Sequence, residues 1–282
     1  MIPLRDNIPT LRFPIVTAIL IAANLLVFGW QLHFSSSDYS DPTYHRLGVS
    51  EQDQVTLEYG AIPYRLTHPG KDCAVGVTSP RATSADVVCQ GTAEYSAARR
   101  LSAQGAPFAP LDSPPWWATV LTSMFMHAGI LHIAFNMLFL WIFGNNVEDS
   151  MGRPRFVLFY LLAGIVSAYV QALLSSDATV PAIGASGAIA GVLGGYLLLY
   201  PRARVLTLIF IIFFVTLIEI PAAIMLGIWF VLQFVPAIGQ VGTDAISGGG
   251  VAYWAHVGGF AFGLAAIKLF ATHRTSVGAG HA

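Results

Sequence analysis

The sequence predicts an all-α polytopic membrane protein, in which six transmembrane helices form a bundle and a large exocytoplasmic loop separates helices 1 and 2. Composition is the first observation behind this prediction: 55% of the 282 residues are hydrophobic, 10% are charged and the mean hydropathy is +0.64. Ordinary soluble domains carry about 25% charged residues. The second observation is a series of long apolar runs, and the third is the distribution of basic residues between them.

The apolar runs define the predicted spans. The first contains about 18 residues, enough for a membrane helix, and lacks a small-residue cleavage site, so we expect a retained helix rather than a signal peptide. The fifth run is broken by Glu219 and Pro221. Its first part, 205–218, has only about 14 residues and is predicted to be interfacial or re-entrant, ahead of helix 5. The runs occupy residues 15–32, 130–147, 156–174, 186–200, 205–236 and 253–270.

Basic residues predict the orientation of the helices, because short cytosolic loops are enriched in Lys and Arg. With six spans, the basic residues in or beside short connections all lie on one side, whereas the loops around Asp177 and Asp244 have none. We therefore expect both termini in the cytosol. The net charge of −1 gives no general attraction for nucleic acid, so no nucleic-acid partner is expected. The basic residues on the cytosolic side are Arg5, Arg12, Arg153, Arg155, Arg202, Arg204, Lys268 and Arg274.

The polar stretch between helices 1 and 2 is predicted to be an exocytoplasmic insertion, because it is rich in Ser, Thr, Pro and Ala and shows no sustained periodicity. Cys73 and Cys89 fall within it and form either one disulfide or two free thiols; two cysteines alone do not make a zinc site. The predicted organisation is a cytosolic N-terminus with helix 1 (1–33), the insertion (34–115), a core with helices 2–6 (116–272) and a cytosolic tail (273–282).

Spans 2, 4 and 6 enter from the exocytoplasmic side, and each carries polar residues near its start. His132 and Asn136 lie four residues apart in span 2 and so share one helical face. Ser186 opens span 4, and His256 lies near the start of span 6. Span 4 provides about 22 Å of helix against a hydrocarbon core of roughly 30 Å, so Ser186 is expected several Å below the outer interface. Polar groups at such depth are costly and by default mark a functional site.

Stripes of small residues on spans 4 and 6 predict that these helices pack closely. Close packing would bring the Ser186 hydroxyl within hydrogen-bonding reach of His256, which is the relationship between a nucleophile and its base. Free N–H groups at the start of span 4, together with His132 and Asn136, would stabilise an oxyanion. No intramembrane Asp or Glu is positioned to orient the histidine, which predicts a Ser–His dyad. The stripes are Gly187, Gly191 and Gly195 on span 4 and Gly259 and Gly263 on span 6.

Each of these features alone also has a purely structural interpretation. Small residues around a lone serine more often serve packing, a single histidine such as His256 is more often a satisfied polar contact, and His132 with Asn136 is also suited to an interhelical clasp. Their coincidence at one depth favours catalysis. His127 is expected to shape the entry to span 2, with catalysis as the minor alternative.

Taken together, these segments resemble the rhomboid family of intramembrane serine proteases. The resemblance is carried by HAGILHIAFNMLFLWIFGNNVED at 127–149, GASGAIAG at 184–191 and AHVGGFAFG at 255–263, and it extends over 116–270 and the first span. The sequence departs from many relatives at Ala190. Those relatives have an aromatic residue at this position, which packs on the ring of the catalytic histidine.

The resemblance implies a role for each polar residue. Ser186 is the expected nucleophile and His256 its general base, while His132, Asn136 and the Ser186 backbone N–H stabilise the oxyanion. Members of the family work without metal or nucleotide, so no cofactor is expected. The resemblance also implies substrate access beside span 5 and a mobile cap at about 237–252.

The function that follows is an intramembrane serine endopeptidase that cleaves transmembrane segments near the exocytoplasmic side. Its expected partners are single-pass transmembrane proteins and the lipid bilayer, and no nucleotide. An exocytoplasmic site without an organelle-targeting sequence favours a bacterial plasma membrane. The alternative is a catalytically silent rhomboid-like protein that binds transmembrane helices. A transporter is disfavoured because paired intramembrane charges and matched broken helices are not seen in the sequence.

Overall fold

The computed structural model describes residues 2–211, 214–239 and 251–273, and begins with a strand, β1 (Ile2–Asp6), that leads into the apolar helix α1 (Ile15–Gln31). The start of α1 is held by Glu148, whose carboxylate accepts hydrogen bonds from Val16 N at 3.0 Å and Thr17 N at 2.7 Å. A carboxylate in this position satisfies N–H groups that lack an intrahelical partner, and it complements the helix dipole.

The short helices and strands between Pro42 and Pro110 form a small subdomain with its own apolar core, which includes Tyr44, Ile62 and Val75. Its antiparallel sheet has the strand order β3-β2-β4. Cys73 on β2 lies directly opposite Cys89 on β3, and the two are joined by a disulfide. In chain order the subdomain contains α2 (Pro42–Leu47), α3 (Glu51–Tyr59), α4 (Pro63–Thr67), β2 (Cys73–Gly76), β3 (Asp86–Cys89), α5 (Ala93–Ser102) and β4 (Phe108–Pro110).

The rest of the described chain is helical apart from one hairpin. A π-helical segment (Leu140–Gly144) joins two of the helices without a break. The elements are α6 (Trp116–Ser123), α7 (Ile130–Phe139), α8 (Asn145–Met151), α9 (Arg153–Leu174), α10 (Ser186–Leu199), β5 (Arg204–Ile211), β6 (Phe214–Pro221), α11 (Ala222–Gly239) and α12 (Tyr253–Phe270).

Within the described ranges, three helices are long and apolar enough to cross a membrane: Ile130–Met151, which joins α7 to α8, then α9 and α11. Two further apolar helices, α1 and α10, are shorter. The protein is therefore a mostly helical integral membrane protein, and the bundle of six spans stays a prediction. Most of the predicted cap, at 240–250, lies outside the described residues, as does the tail beyond His273.

The prediction of an all-α fold is wrong for the subdomain sheet and for the segment 205–218. The sequence predicts an interfacial or re-entrant piece there, but the segment belongs to an antiparallel hairpin in which β5 and β6 pair from Arg204 opposite Pro221 to Ile211 opposite Phe214. Strand β5 also pairs with β1. Residues with β-branched side chains are frequent in both strands, and the pairing satisfies the backbone groups of a segment too short to span the bilayer.

Helix α10 lies at the centre of the helical part, and every residue from Gly187 to Tyr196 is buried. It packs on α12 with backbone against backbone. A Cβ added at Gly259 would stand 2.1 Å from the Gly187 carbonyl oxygen, and one added at Gly263 would stand 2.0 Å from that of Gly191. The small-residue stripes on α10 and α12 therefore meet, as the sequence predicted.

Strand β1 is tied to the far end of α10 through Asp6. The Asp6 carboxylate accepts hydrogen bonds from the Tyr196 hydroxyl and from Asn146 Nδ2, the latter at 2.7 Å. Burial raises the pKa of the Asp6 carboxyl to about 6, although both hydrogen bonds act in the opposite direction. The carboxyl thus binds a proton more tightly in the folded chain than in the unfolded chain, where its pKa is about 3.8.

We expect Asp6 to make the folded protein less stable as the pH rises from about 4 to about 6, between the unfolded and folded pKa values of its carboxyl. Because the folded pKa is the higher one, the folded state loses about 1.4 kcal/mol for each pH unit that separates the two pKa values once the carboxyl is ionised. Asp6→Asn keeps an oxygen acceptor for Tyr196 and removes this titration. Thermal unfolding is therefore measured at pH 4.5 and pH 7.5. The increase in stability from pH 7.5 to pH 4.5 should be smaller for Asp6→Asn than for the unmodified chain, and an identical pH response would contradict the expectation.

Candidate active site

Ser186 and His256, from two different helices, meet in a direct hydrogen bond. Ser186 is the first residue of α10 and His256 lies in the first turn of α12. The Ser186 Oγ lies 2.8 Å from the His256 Nε2. The glycine contacts between α10 and α12 make this approach possible. At this distance an imidazole nitrogen can accept the proton of a serine hydroxyl.

The other ring nitrogen of His256 is also bonded. Its Nδ1 lies 2.8 Å from the Oε1 of Gln233 on α11. Trp229 lies one helical turn before Gln233, and the centroid of its ring is 6.0 Å from that of His256. Gln171 on α9 holds the start of α12, because its Oε1 accepts a hydrogen bond from Ala255 N at 3.2 Å.

Sequence reasoning missed both Gln233 and Gln171, because it considered only Asp and Glu as partners for the histidine. The available signal was that each glutamine is an uncharged polar residue inside an apolar run, where polar groups are costly and by default functional.

His132 lies beside the serine with a defined tautomer. Its Nδ1 accepts a hydrogen bond from Ala128 N at 3.3 Å, so the ring proton resides on Nε2. That nitrogen faces Gly184: a Cβ added at Gly184 would stand 2.9 Å from the His132 Nε2 and 3.6 Å from the Ser186 Oγ. The ring N–H and the hydroxyl oxygen therefore border the same point beside Gly184.

Asn136 lies one turn further along α7, and it lines the same cavity as Ser186 and His256. Its Nδ2 donates to the His132 carbonyl oxygen at 2.9 Å. An amide nitrogen carries two protons, so one remains for a bound group. The structure thus brings together the four residues that the sequence singled out, Ser186, His256, His132 and Asn136.

The loop before Ser186 is fixed by its backbone. Gly184 has φ +122°, a conformation that side-chain-bearing residues rarely adopt, and its N–H donates to the Ser123 carbonyl oxygen at 2.8 Å. Ala182 pairs with Ala61 of the subdomain through two backbone hydrogen bonds of 2.9 and 3.1 Å. The first N–H groups of α10 have no partner within a helix and carry the positive end of its dipole, which favours a developing negative charge.

The four polar residues line a cavity of about 470 Å³. Its walls are mainly apolar, and the described residues that form it include no Asp, Glu, Lys or Arg. Nor do the described residues contain a group of three or more His, Cys, Asp or Glu side chains arranged to hold a metal. The apolar walls come from α7, α10 and α11 and include Phe135, Phe139, Ile189, Leu193 and Trp229.

His127 lies behind His132 and outside the cavity lining. Its ring is buried and stacks edge-on against His132, with centroids 5.0 Å apart. Gln31 of α1 clamps the backbone at this point: its Nε2 donates to the His127 carbonyl oxygen at 3.3 Å and its Oε1 accepts from His127 N at 2.9 Å. These contacts agree with the structural interpretation of His127 as a residue that shapes the entry to the helix.

Comparisons with known proteins match the part of the chain that builds this site. The family model described as "Rhomboid domain" matches residues 114–273. Rhomboid protease GluP of Bacillus subtilis is 46% identical over 82 residues, which is 29% of this chain and 15% of the relative. Rhomboid protein 1, mitochondrial, of Saccharomyces cerevisiae is 31% identical over 150 residues, 52% of this chain and 40% of the relative.

A human relative, "Presenilin-associated rhomboid-like protein, mitochondrial", is 35% identical over 94 residues, 33% of this chain and 24% of the relative. These matches span between 15% and 40% of the relatives' own lengths. The relatives come from a bacterium and from eukaryotes, and two of these three carry "mitochondrial" in their names.

Proposed function

The chain belongs to the rhomboid family, and from this premise we propose that it is an intramembrane serine endopeptidase with a Ser186–His256 dyad. The observation that carries the proposal is the 2.8 Å hydrogen bond between the Ser186 Oγ and the His256 Nε2 at the wall of an apolar cavity. The bacterial relative is named a rhomboid protease, which agrees with this activity.

In the first step, His256 Nε2 accepts the proton of Ser186 while Oγ attacks a substrate carbonyl carbon. The resulting oxyanion is stabilised by the Ser186 N–H, the His132 Nε2–H and an Asn136 amide proton. His256 then gives its proton to the leaving amine. In the second half, His256 takes a proton from water, the hydroxide attacks the acyl-enzyme, and the proton returns to Ser186 Oγ.

The substrates under this proposal are transmembrane segments, cleaved near the exocytoplasmic side of the bilayer. A helical carbonyl is shielded by its own backbone hydrogen bonds, so the segment must unwind locally before Ser186 can reach it. Small or helix-breaking residues near the scissile bond should therefore favour cleavage.

The proposed topology keeps six membrane crossings with both termini in the cytosol, and it puts the subdomain of 34–115 on the exocytoplasmic side. The disulfide between Cys73 and Cys89 supports a compartment outside the cytosol, because disulfides are rare inside it. A bacterial plasma membrane is our proposal for the location.

Labelling with a fluorophosphonate probe tests the proposal without knowledge of the natural substrate. The purified chain in lipid vesicles should acquire one probe molecule on Ser186, located by mass spectrometry, and His256→Ala should lose the label. A folded protein that binds transmembrane helices but neither takes up the probe nor cleaves a reporter would instead be the catalytically silent alternative.

A further inference from the structure

The side chain of Gln233 is the polar feature that the dyad alone does not explain. Helix α11 has the sequence AAIMLGIWFVLQFVPAIG, in which Gln233 carries the one amide side chain. Neighbouring residues of the same helix, such as Val231 and Leu232, are exposed on the apolar outer surface. Gln233 instead turns inward, is half-buried and lines the cavity. A polar side chain in a membrane helix is costly unless it is hydrogen-bonded.

We propose that Gln233 is a positioning residue that fixes the tautomer and the orientation of His256. This inference rests on the proposed function and extends it, because it gives the dyad a third, uncharged member. Its basis is the 2.8 Å hydrogen bond between Gln233 Oε1 and His256 Nδ1, made on the ring side opposite to the bond with Ser186.

The direction of the bond follows from the chemistry of the two partners. The amide oxygen only accepts hydrogen bonds, so the ring must carry its proton on Nδ1. A neutral imidazole has a single ring proton, and Nε2 is then left with its lone pair directed at the Ser186 hydroxyl. This is the tautomer that a general base needs. An amide presenting its nitrogen would select the opposite tautomer, in which Nε2 already carries a proton.

The amide oxygen also contributes after the proton has moved. The imidazolium that forms when His256 takes the Ser186 proton keeps its N–H at Nδ1, and the oxygen dipole of Gln233 faces that developing positive charge. No Asp or Glu lines the described part of the cavity, so this dipole is the acceptor available to the ring. Trp229, one turn away on α11, contacts both His256 and Phe260 with ring centroids 6.0 Å apart in each case, which limits rotation of the imidazole.

Four chains test the proposal: the unmodified protein, Gln233→Met, Gln233→Glu and a control, Leu232→Met. Methionine has nearly the volume of glutamine and lacks the oxygen acceptor, whereas glutamate retains an oxygen whichever way its carboxylate turns. The control adds the same methionine at the neighbouring, lipid-facing position, where the native leucine is 60% exposed. The fluorophosphonate inactivation rate is measured over a range of probe concentrations, so that the limiting rate separates from probe binding.

We expect Gln233→Met to lower the limiting inactivation rate about 10- to 100-fold, with half-saturation and thermal unfolding close to those of Leu232→Met. Gln233→Glu should recover most of the rate. A merely structural role predicts something else: a loss of thermal stability at an unchanged limiting rate, or weaker probe binding at an unchanged limiting rate. Either of those results would overturn the proposal, as would a full rate for Gln233→Met.

Two precautions keep the outcome decisive. If Gln233→Met does not fold, Gln233→Asn replaces it. The asparagine side chain is one methylene shorter, so its amide cannot reach Nδ1 of His256. Gln233→Asn should therefore show the same loss of the limiting rate. If the unmodified chain itself takes up no probe, the proposed peptidase activity fails and the positioning role falls with it. If the unmodified chain is labelled at Ser186 and every Gln233 variant is labelled equally fast, only the role of Gln233 is rejected.

Discussion

Replacing Ser186 with alanine should reduce cleavage of a transmembrane reporter to background while the protein remains folded. The hydroxyl is the group that would form the acyl-enzyme, and no other hydroxyl in the described part of the chain is hydrogen-bonded to His256. Loss of the nucleophile in a serine peptidase typically lowers the rate by at least about a thousandfold. The cost to stability should be small, because the variant removes one hydroxyl and leaves the α10–α12 contact unchanged.

Ser167→Ala is the matched control for this experiment. Ser167 is another buried helical serine, and its Oγ donates to the Ala163 carbonyl oxygen at 2.7 Å rather than to a histidine. Cleavage by Ser167→Ala should stay close to that of the unmodified chain. The double variant Ser186→Ala with His256→Ala should be no slower than Ser186→Ala alone, because residues that act as one unit lose their effect together. If purified Ser186→Ala cleaves the reporter as fast as the unmodified chain does, the dyad is rejected.

The meeting of Ser186 and His256 could be predicted because independent local signals agree. Each residue begins an apolar run, the basic residues orient both runs in the same direction, and glycines recur at helical spacing on the two facing sides. The helical period determines which face of its helix each side chain occupies, and the membrane orientation determines its depth in the bilayer. Together they leave few possible positions for the Ser186 and His256 side chains. His132 and Asn136 follow by the same reasoning, since they lie on one face of α7.

Gln233 could not be paired with His256 in this way. Helix α11 is apolar on all sides, so no amphipathic stripe indicates which face turns toward the bundle. The residue lies 23 positions before its partner and on a different helix, so spacing carries no information about the contact. Only the rotation of α11 about its own axis decides whether Gln233 meets the histidine or the lipid.

The sheets escaped prediction for a different reason. A continuous apolar run such as 205–218 has no period, so it does not distinguish a strand from a buried helix. The strand that completes its sheet, β1, lies about 200 residues earlier. In the subdomain the helices and strands have between 3 and 10 residues each, which is too few for a periodic pattern to emerge. In each sheet one pairing joins neighbouring strands, and the other, β1 with β5 or β2 with β4, joins segments further apart that local patterns do not encode.

Replacing Gly263 with alanine should disable the site from a distance of two helical turns. The added Cβ would stand 2.0 Å from the Gly191 carbonyl oxygen and 2.8 Å from the carbonyl carbon, whereas real Cβ contacts essentially never fall below 3.0 Å. Both contacts are with backbone, which has no rotamer to change, so α10 and α12 must separate by about 1 Å. Overpacking of this kind costs up to about 3 kcal/mol, and a displacement of about 1 Å at a reacting pair lowers the rate about a hundredfold.

The control for Gly263→Ala is Gly227→Ala on α11, where an added Cβ meets nothing within 4 Å. Because alanine is the better helix former, Gly227→Ala should leave stability unchanged or raise it by about 0.5–1 kcal/mol, and labelling of Ser186 should persist. Thermal unfolding and fluorophosphonate labelling are measured for both variants. Their difference separates the clash between the added Cβ and the Gly191 backbone from the general effect of replacing a helical glycine with alanine. A Gly263→Ala protein as stable and as reactive as Gly227→Ala would mean that the helices do not touch through their backbones. The 2.8 Å dyad would then need another support, because the glycine contact is what allows α10 and α12 to bring the hydroxyl to the imidazole.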